Sequence, residues 1–239
     1  MSLVPSVTEL IHSVGASERI VGVTLNDDYP DSIKDLPKVG DQTIDLEKVL
    51  SLEPDLVIFD SNFNKDKQAL EKLGLKTLEL RCERLQDVPI ALTKLGHALG
   101  VPERGEAEAR AFREGLAKIQ PLNLDKTLFV EVWGSPLMTV GSQTLVNDLL
   151  SLSGLKNSYA DQEGYFQVDP EDVLSRNPDI IVVPRPASST ESESQAFLLL
   201  KRAGQNPQVV EIDPDLLIRP GPRLLRGIDL LQNQLKSTH

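Results

Sequence analysis

Residues 40–59, GDQTIDLEKVLSLEPDLVIF, return as residues 164–183, GYFQVDPEDVLSRNPDIIVV, and this internal repeat constrains the fold more than any other feature. Sliding position 40 onto 164 superimposes Asp45 on Asp169, Glu47 on Glu171, Val49 on Val173, Pro54 on Pro178 and Asp55 on Asp179. Both copies end in four apolar residues. A repeat at about half of a 239-residue chain implies two similar domains, each large enough to bury its own core. Two such domains facing each other make a cleft, a geometry that favours ligand binding.

Between and around the copies, short apolar runs alternate with helical stretches, the pattern of α/β architecture with parallel strands. Residues 19–24 (RIVGVT), 56–59, 77–80, 128–132 (LFVEV), 180–183 and 209–212 are predicted strands. Helices are predicted over 7–14, 45–52, 65–73, 144–152, 196–202 and 222–235. Asp45 is placed to cap the second of these, and Asp169-Pro170-Glu171 is a helix start with an acid cap and proline at the first position. Residues 102–120, PERGEAEARAFREGLAKIQ, read as one long helix that spans ~25 Å or more. Gly105 and Gly115 weaken it slightly. The expected organisation is therefore an N-terminal lobe over 1–100, a linking helix over 101–121 and a C-terminal lobe over 122–239. The linker is a rigid strut rather than a flexible hinge.

The net charge of -11 argues against nucleic acid or an anionic membrane as the main partner. Cys82 is the single cysteine, so no intrachain disulfide forms. No apolar run reaches the ~18 residues of a membrane span. No signal peptide is visible, and only residues 1–4 are available for a first strand, so we expect an upstream segment to have been removed.

Ligands of open parallel sheets sit beyond the carboxyl ends of the strands. There the sequence places Tyr29, Asn62, Phe63, Arg81, Trp133, Tyr165, Phe166, Arg185, Asp215 and Arg219, with Arg223 nearby. Aromatic residues make up 4% of the chain, yet five fall in these loops, where flat apolar surface suits a macrocycle or aromatic chelate. The arginines suit carboxylates and other anionic oxygens, although Asp215, four residues before Arg219, makes an internal salt bridge the competing reading. There is no glycine-rich phosphate loop and no nucleophile elbow. His12, His97 and His239 read as structural or solvated, and one cysteine with scattered histidines does not build a transition-metal site. A bound metal would arrive wrapped in its own ligand.

Val4-Pro5-Ser6-Val7-Thr8-Glu9-Leu10, Val21-Gly22-Val23-Thr24, Asp28-Tyr29-Pro30, Lys38-Val39-Gly40, Leu46-Glu47-Lys48-Val49 and Pro54-Asp55-Leu56-Val57-Ile58 together resemble the class III, helical-backbone substrate-binding proteins of ABC importers. The similarity covers nearly the whole chain. It implies two rigid lobes joined by a backbone helix, no catalysis, no resident cofactor, and capture of cobalamin, a ferric siderophore or haem as transported ligand. It also implies one docking glutamate per lobe for the permease, Glu47 and Glu171 by motif, where helix-dipole stabilisation is the alternative role. The protein would then be a periplasmic or lipid-anchored monomer, touching the membrane only through the permease.

Residues 215–222, DLLIRPGP, resemble the stretch where the cobalamin-binding member sets an Asp and an Arg near the corrin, so Asp215 and Arg219 carry that expectation. Tyr165-Phe166 falls where that member has a ligand-facing aromatic. Leu25 and Asp41-Gln42 stand where it has aromatic residues. Tyr29 and Tyr165 are the candidates for a haem iron. The competing functions are a cytosolic corrinoid-handling protein of the same fold and a two-lobe transferase enzyme.

Overall fold

A computed structural model describes residues 1–41, 43–62, 67–122, 124–186 and 193–236. The chain forms two compact units, Met1–Cys82 with Gln86–Glu114, and Glu83–Leu85 with Gly115–His239.

The first unit begins with α1 (Pro5–Ser13), started by Pro5 and burying Val7, Leu10 and Ile11. There follow α2 (Leu46–Ser51), β1 (Val57–Phe59), α3 (Lys67–Lys72), β2 (Thr77–Glu79), α4 (Asp87–Ala98) and α5 (Pro102–Lys118). The Asp45 carboxylate accepts from the Lys48 N–H at 3.0 Å, so it caps α2 as expected. β1 and β2 pair in parallel with Val57 opposite Thr77. The first predicted strand, 19–24, is not a strand: it contributes only a single bridge, Val23 to Lys38. Its pairing segment contains Pro37, which accepts from Val23 N–H but has no N–H to return. Residues 1–3 lie between this segment and β1, with Ser2 N–H on Gly22 O at 3.0 Å and Leu3 N–H on Ile58 O at 2.9 Å. Met1, Leu3, Val39, Val49, Val57, Phe59 and Leu70 form the core beneath.

α4, which the apolar pattern did not single out, packs on α5 backbone to backbone. A β-carbon on Gly105 would lie 2.7 Å from Leu92 O and 2.8 Å from Gly96 Cα. α5 has 17 residues, about 25 Å at 1.5 Å each, and the division between the units falls within it.

The second unit contains β3 (Thr127–Val130), β4 (Trp133–Gly134), β5 (Leu137–Val140), α6 (Leu145–Leu152), β6 (Lys156–Asn157), β7 (Tyr165–Gln167), α7 (Pro170–Arg176), β8 (Ile180–Pro184), α8 (Gln195–Arg202), β9 (Gln208–Ile212) and α9 (Leu224–Lys236). A parallel sheet runs β6-β3-β8-β9. Its β8 is apolar along its length because both faces are covered. The order α7-β8-α8-β9 repeats α2-β1-α3-β2, so the duplication read in the sequence is a duplication of folded parts.

The second unit adds an antiparallel sheet, β4-β5-β7, that the parallel-strand reading did not contain. Thr144 caps α6 by accepting from Asn147 N–H at 3.2 Å. Segment 83–85 is fixed onto α6: the Arg84 guanidinium bonds both Asp148 carboxylate oxygens, at 2.8 and 2.7 Å, and Leu85 N–H adds a third contact at 3.0 Å. Such a bidentate pair is geometrically specific as well as strong. α9 buries Leu224, Ile228, Leu231 and Leu235, the expected apolar face.

Candidate functional site

In the first unit, the loops at the strand ends are held by side-chain caps. After β1, Asp60 is buried and accepts from Asn62 N–H at 2.9 Å, the local turn that aspartate favours. Asn62 Oδ1 in turn accepts from Arg81 at 3.2 Å, so these two predicted residues are brought together. Ser61 donates to Glu79, and this bond holds the Glu79 carboxyl below its usual range. Tyr29 stands edge-on to His12 with ring centroids 5.6 Å apart. His12 Nδ1 also meets Ser17 Oγ at 2.9 Å, a structural role as expected. The loop carrying Tyr29 is tied down by Asp27, whose carboxylate accepts from Thr24 N–H at 2.8 Å and from its hydroxyl. Leu25 is 64% exposed beside it. Gln42, Phe63 and His239 lie outside the described residues.

In the second unit, the period of two along β7 separates adjacent aromatics. Tyr165 pairs with Val140 and Phe166 with Thr139. Directly opposed residues share a face, so Trp133, Met138, Val140, Tyr165 and Gln167 line one side and Leu137, Thr139 and Phe166 the other. Trp133 is 58% and Tyr165 49% exposed. The Trp133 indole N–H donates to Ser135 O at 2.9 Å, which satisfies its polar edge and leaves the ring as apolar surface. Phe166 does not join them. It packs on the core and stacks edge-on with Tyr159 at 5.8 Å, because alternation along the strand turns it inward. β7 therefore does not bring Tyr165 and Phe166 onto one face.

Each predicted arginine of the second unit meets a carboxylate of its own unit. Arg185 pairs with Glu211 across β8 and β9. Arg219 holds Asp215 Oδ1 at 2.8 Å, and Arg223 approaches Asp215 Oδ2 at 3.4 Å. The internal salt bridge anticipated between Asp215 and Arg219 is present. These side chains are about four-fifths buried, at 20, 19 and 22% exposure for Arg219, Asp215 and Arg223, so the cluster holds its geometry without a ligand. Pro214 opens the short turn that carries Asp215, and Asp213 caps it by accepting from Asp215 N–H at 3.0 Å.

Glu47 and Glu171 occupy the same place in the two units, exposed in the first turns of α2 and α7. α7 is braced from behind by Arg176. That side chain bonds Asp161 at 2.8 and 2.9 Å and Asp172 at 3.1 Å, and stacks over the Tyr159 ring at 4.2 Å.

Glu131 escaped the sequence reading. It is 6% exposed and accepts from Ser194 Oγ, Gln195 N–H at 3.0 Å and Ala196 N–H at 2.8 Å, closing the start of α8. The signal was an acid inside the apolar strand run LFVEV. Among the described residues no group of three or more His, Cys, Asp or Glu gathers to hold a metal ion, and no helix is long and apolar enough to cross a membrane.

Two units built from duplicated α/β parts, connected through one long helix, belong to a substrate-binding class, and the chain is a member of the periplasmic binding protein family, whose sequence pattern it matches over residues 1–216. It is 32% identical to an uncharacterised ABC transporter substrate-binding lipoprotein, YvrC, of Bacillus subtilis, over 98% of this chain and 79% of that one. It is 30% identical to the vitamin B12-binding protein of Vibrio cholerae, over 99% of this chain and 88% of the relative. The crystal structure of the periplasmic vitamin B12 binding protein of Vibrio cholerae superimposes with a TM-score of 0.80 at 28% identity, covering 98% of this chain and 95% of that one. The periplasmic haem binding protein of Vibrio cholerae shares the fold, with a TM-score of 0.86 at 20% identity over 98% and 97% of the two chains. Family and neighbours are substrate-binding transport proteins, not enzymes. The transferase reading is thereby set aside.

Proposed function

We propose that the protein captures a corrinoid of the cobalamin type outside the cytoplasm and delivers it to an ABC importer. The carrying observation is the charge pairing at the strand ends of the second unit. Arg185 faces Glu211, while Arg219 and Arg223 share Asp215. A ligand with several carboxylates or catecholates draws strength from guanidinium groups that meet no competing anion, and here each of them meets one. A corrin, rimmed by amides, matches alternating donors and acceptors. Its flat apolar face suits Trp133 and Tyr165, and in the first unit Tyr29, Asn62 and Arg81 offer one further ring and two polar groups. The 30% identity to a vitamin B12-binding protein over 99% of this chain supports the same choice. Glu47 and Glu171 supply the matched acids for a two-fold permease.

The test is thermal unfolding with cyanocobalamin, haemin or a ferric trihydroxamate at tens of micromolar. A ligand at ~100 times its Kd stabilises by about 2.7 kcal/mol. Cyanocobalamin is expected to raise Tm more than the other two. A rise with haemin or the siderophore and none with cyanocobalamin would sink the corrinoid reading.

A further inference from the structure

α9 runs past the turn that carries Asp215 at backbone distance. A β-carbon on Gly227 would lie 1.8 Å from the Leu216 carbonyl oxygen, 2.8 Å from its carbonyl carbon and 3.2 Å from Leu216 Cβ. The first two are backbone atoms, so no rotamer change relieves the overlap. A normal carbon–oxygen contact of about 3.3 Å requires the turn to move away by roughly 1.5 Å.

That movement acts on one bond in particular. Arg223 lies four residues before Gly227, and Gly227 N–H donates to its carbonyl at 3.1 Å, so Arg223 is tied to the helix. Asp215 belongs to the turn, next to Leu216. The Asp215–Arg223 contact, already 3.4 Å, therefore spans the two bodies that a side chain at 227 would separate. Arg219 follows Asp215 on the same loop and is positioned to move with it.

We infer that Gly227 is a positioning residue for the ligand: its bare Cα sets the depth at which the turn sits on α9, and so keeps Asp215 between two guanidinium groups. The inference rests on the reading that this cluster faces the ligand. Glycine is otherwise a poor residue inside a helix.

The experiment compares wild type, Gly227→Ala, Arg223→Gln and the double variant by calorimetric titration with cyanocobalamin, with circular dichroism to confirm folding. Ligand-free crystal structures of wild type and Gly227→Ala accompany them. Gly115→Ala serves as the control, since the atoms nearest its β-carbon all belong to the flexible Leu225 side chain of α9. Gly227→Ala is expected to weaken binding at least ten-fold, Arg223→Gln to do likewise, and the double variant to lose little more than either. Gly115→Ala should bind as wild type.

Fully additive losses, or a Gly227→Ala protein that binds as tightly as wild type, would overturn the inference. If Gly227→Ala does not fold, Arg223→Gln decides, and wild-type affinity in that variant overturns it. If wild type does not bind cyanocobalamin, the corrinoid reading fails by itself, and the ligand-free structures decide the positioning. A turn shifted outward with Asp215–Arg223 broken supports it, and an unmoved turn refutes it.

Discussion

Gly105 and Gly115 lie on the same helix and look equivalent in sequence, yet alanine should destabilise the protein at the first and leave it nearly unchanged at the second. At Gly105 the added β-carbon would sit 2.7 Å from Leu92 O, 2.8 Å from Gly96 Cα and 3.2 Å from Gly96 N, all backbone atoms of α4. The two helices must part by several tenths of an ångström along their contact. Overpacking of this kind costs about 1–3 kcal/mol, with the upper end apt when no side chain can yield. Replacing a helical glycine returns about 1 kcal/mol. The net destabilisation is about 1–2 kcal/mol. At Gly115 the same atom would lie 2.4 Å from Leu225 Cδ1, the tip of a flexible side chain. A rotamer adjustment costs about 0.5–1.5 kcal/mol, which the helix gain offsets. Urea unfolding followed by circular dichroism should therefore place Gly105→Ala below wild type and Gly115→Ala near it. In Tm the gap is about 2–8 °C for a chain of this size. Equal midpoints, or Gly105→Ala the more stable, would refute the claim that α4 and α5 touch through backbone.

Burial pushes the Cys82 thiol up to about 12, so almost no thiolate exists at pH 8 and a disulfide reagent should react over 100-fold more slowly with native than with urea-unfolded protein. Comparable rates would show the thiol to be accessible. Glu131→Gln leaves an amide group facing the donors at the start of α8, which should cost about 2–4 kcal/mol, read as a lowered Tm. Trp133→Ala removes exposed ring surface, so it should weaken cyanocobalamin binding about 10- to 30-fold while Tm stays within about 2 °C of wild type. Glu47→Lys with Glu171→Lys should abolish ligand-dependent ATPase stimulation of the reconstituted importer with ligand affinity unchanged; a loss of affinity instead would make both residues structural.

The duplication, the α/β alternation and most helix starts were legible because each rests on local signals: the repeat itself, the Asp45 cap, the Pro170 start. The strand over 19–24 was misread because strand formation depends on a partner, and the partner contains Pro37. The antiparallel β4-β5-β7 sheet was missed because its strands are two to four residues long, too short for alternation to register. In the candidate site, residue types were readable but their directions were not. Adjacent Tyr165 and Phe166 face opposite ways once β7 pairs with β5. Gly227 shows no signal in sequence, since what makes it necessary is a carbonyl eleven residues upstream in another element.

The Arg84–Asp148 pair joins groups 64 residues apart and has a consequence for the order of events on the ribosome. Residues on both sides of the tripeptide 83–85 belong to the first unit, which has all its parts once Glu114 has been made. The Asp148 carboxylate that Arg84 holds in the folded chain does not exist until α6 is synthesised. At about 5–20 residues per second, Arg84 waits roughly 3–13 s for Asp148. During that interval the first unit has all of its residues, while the carboxylate that fixes segment 83–85 is still to be made.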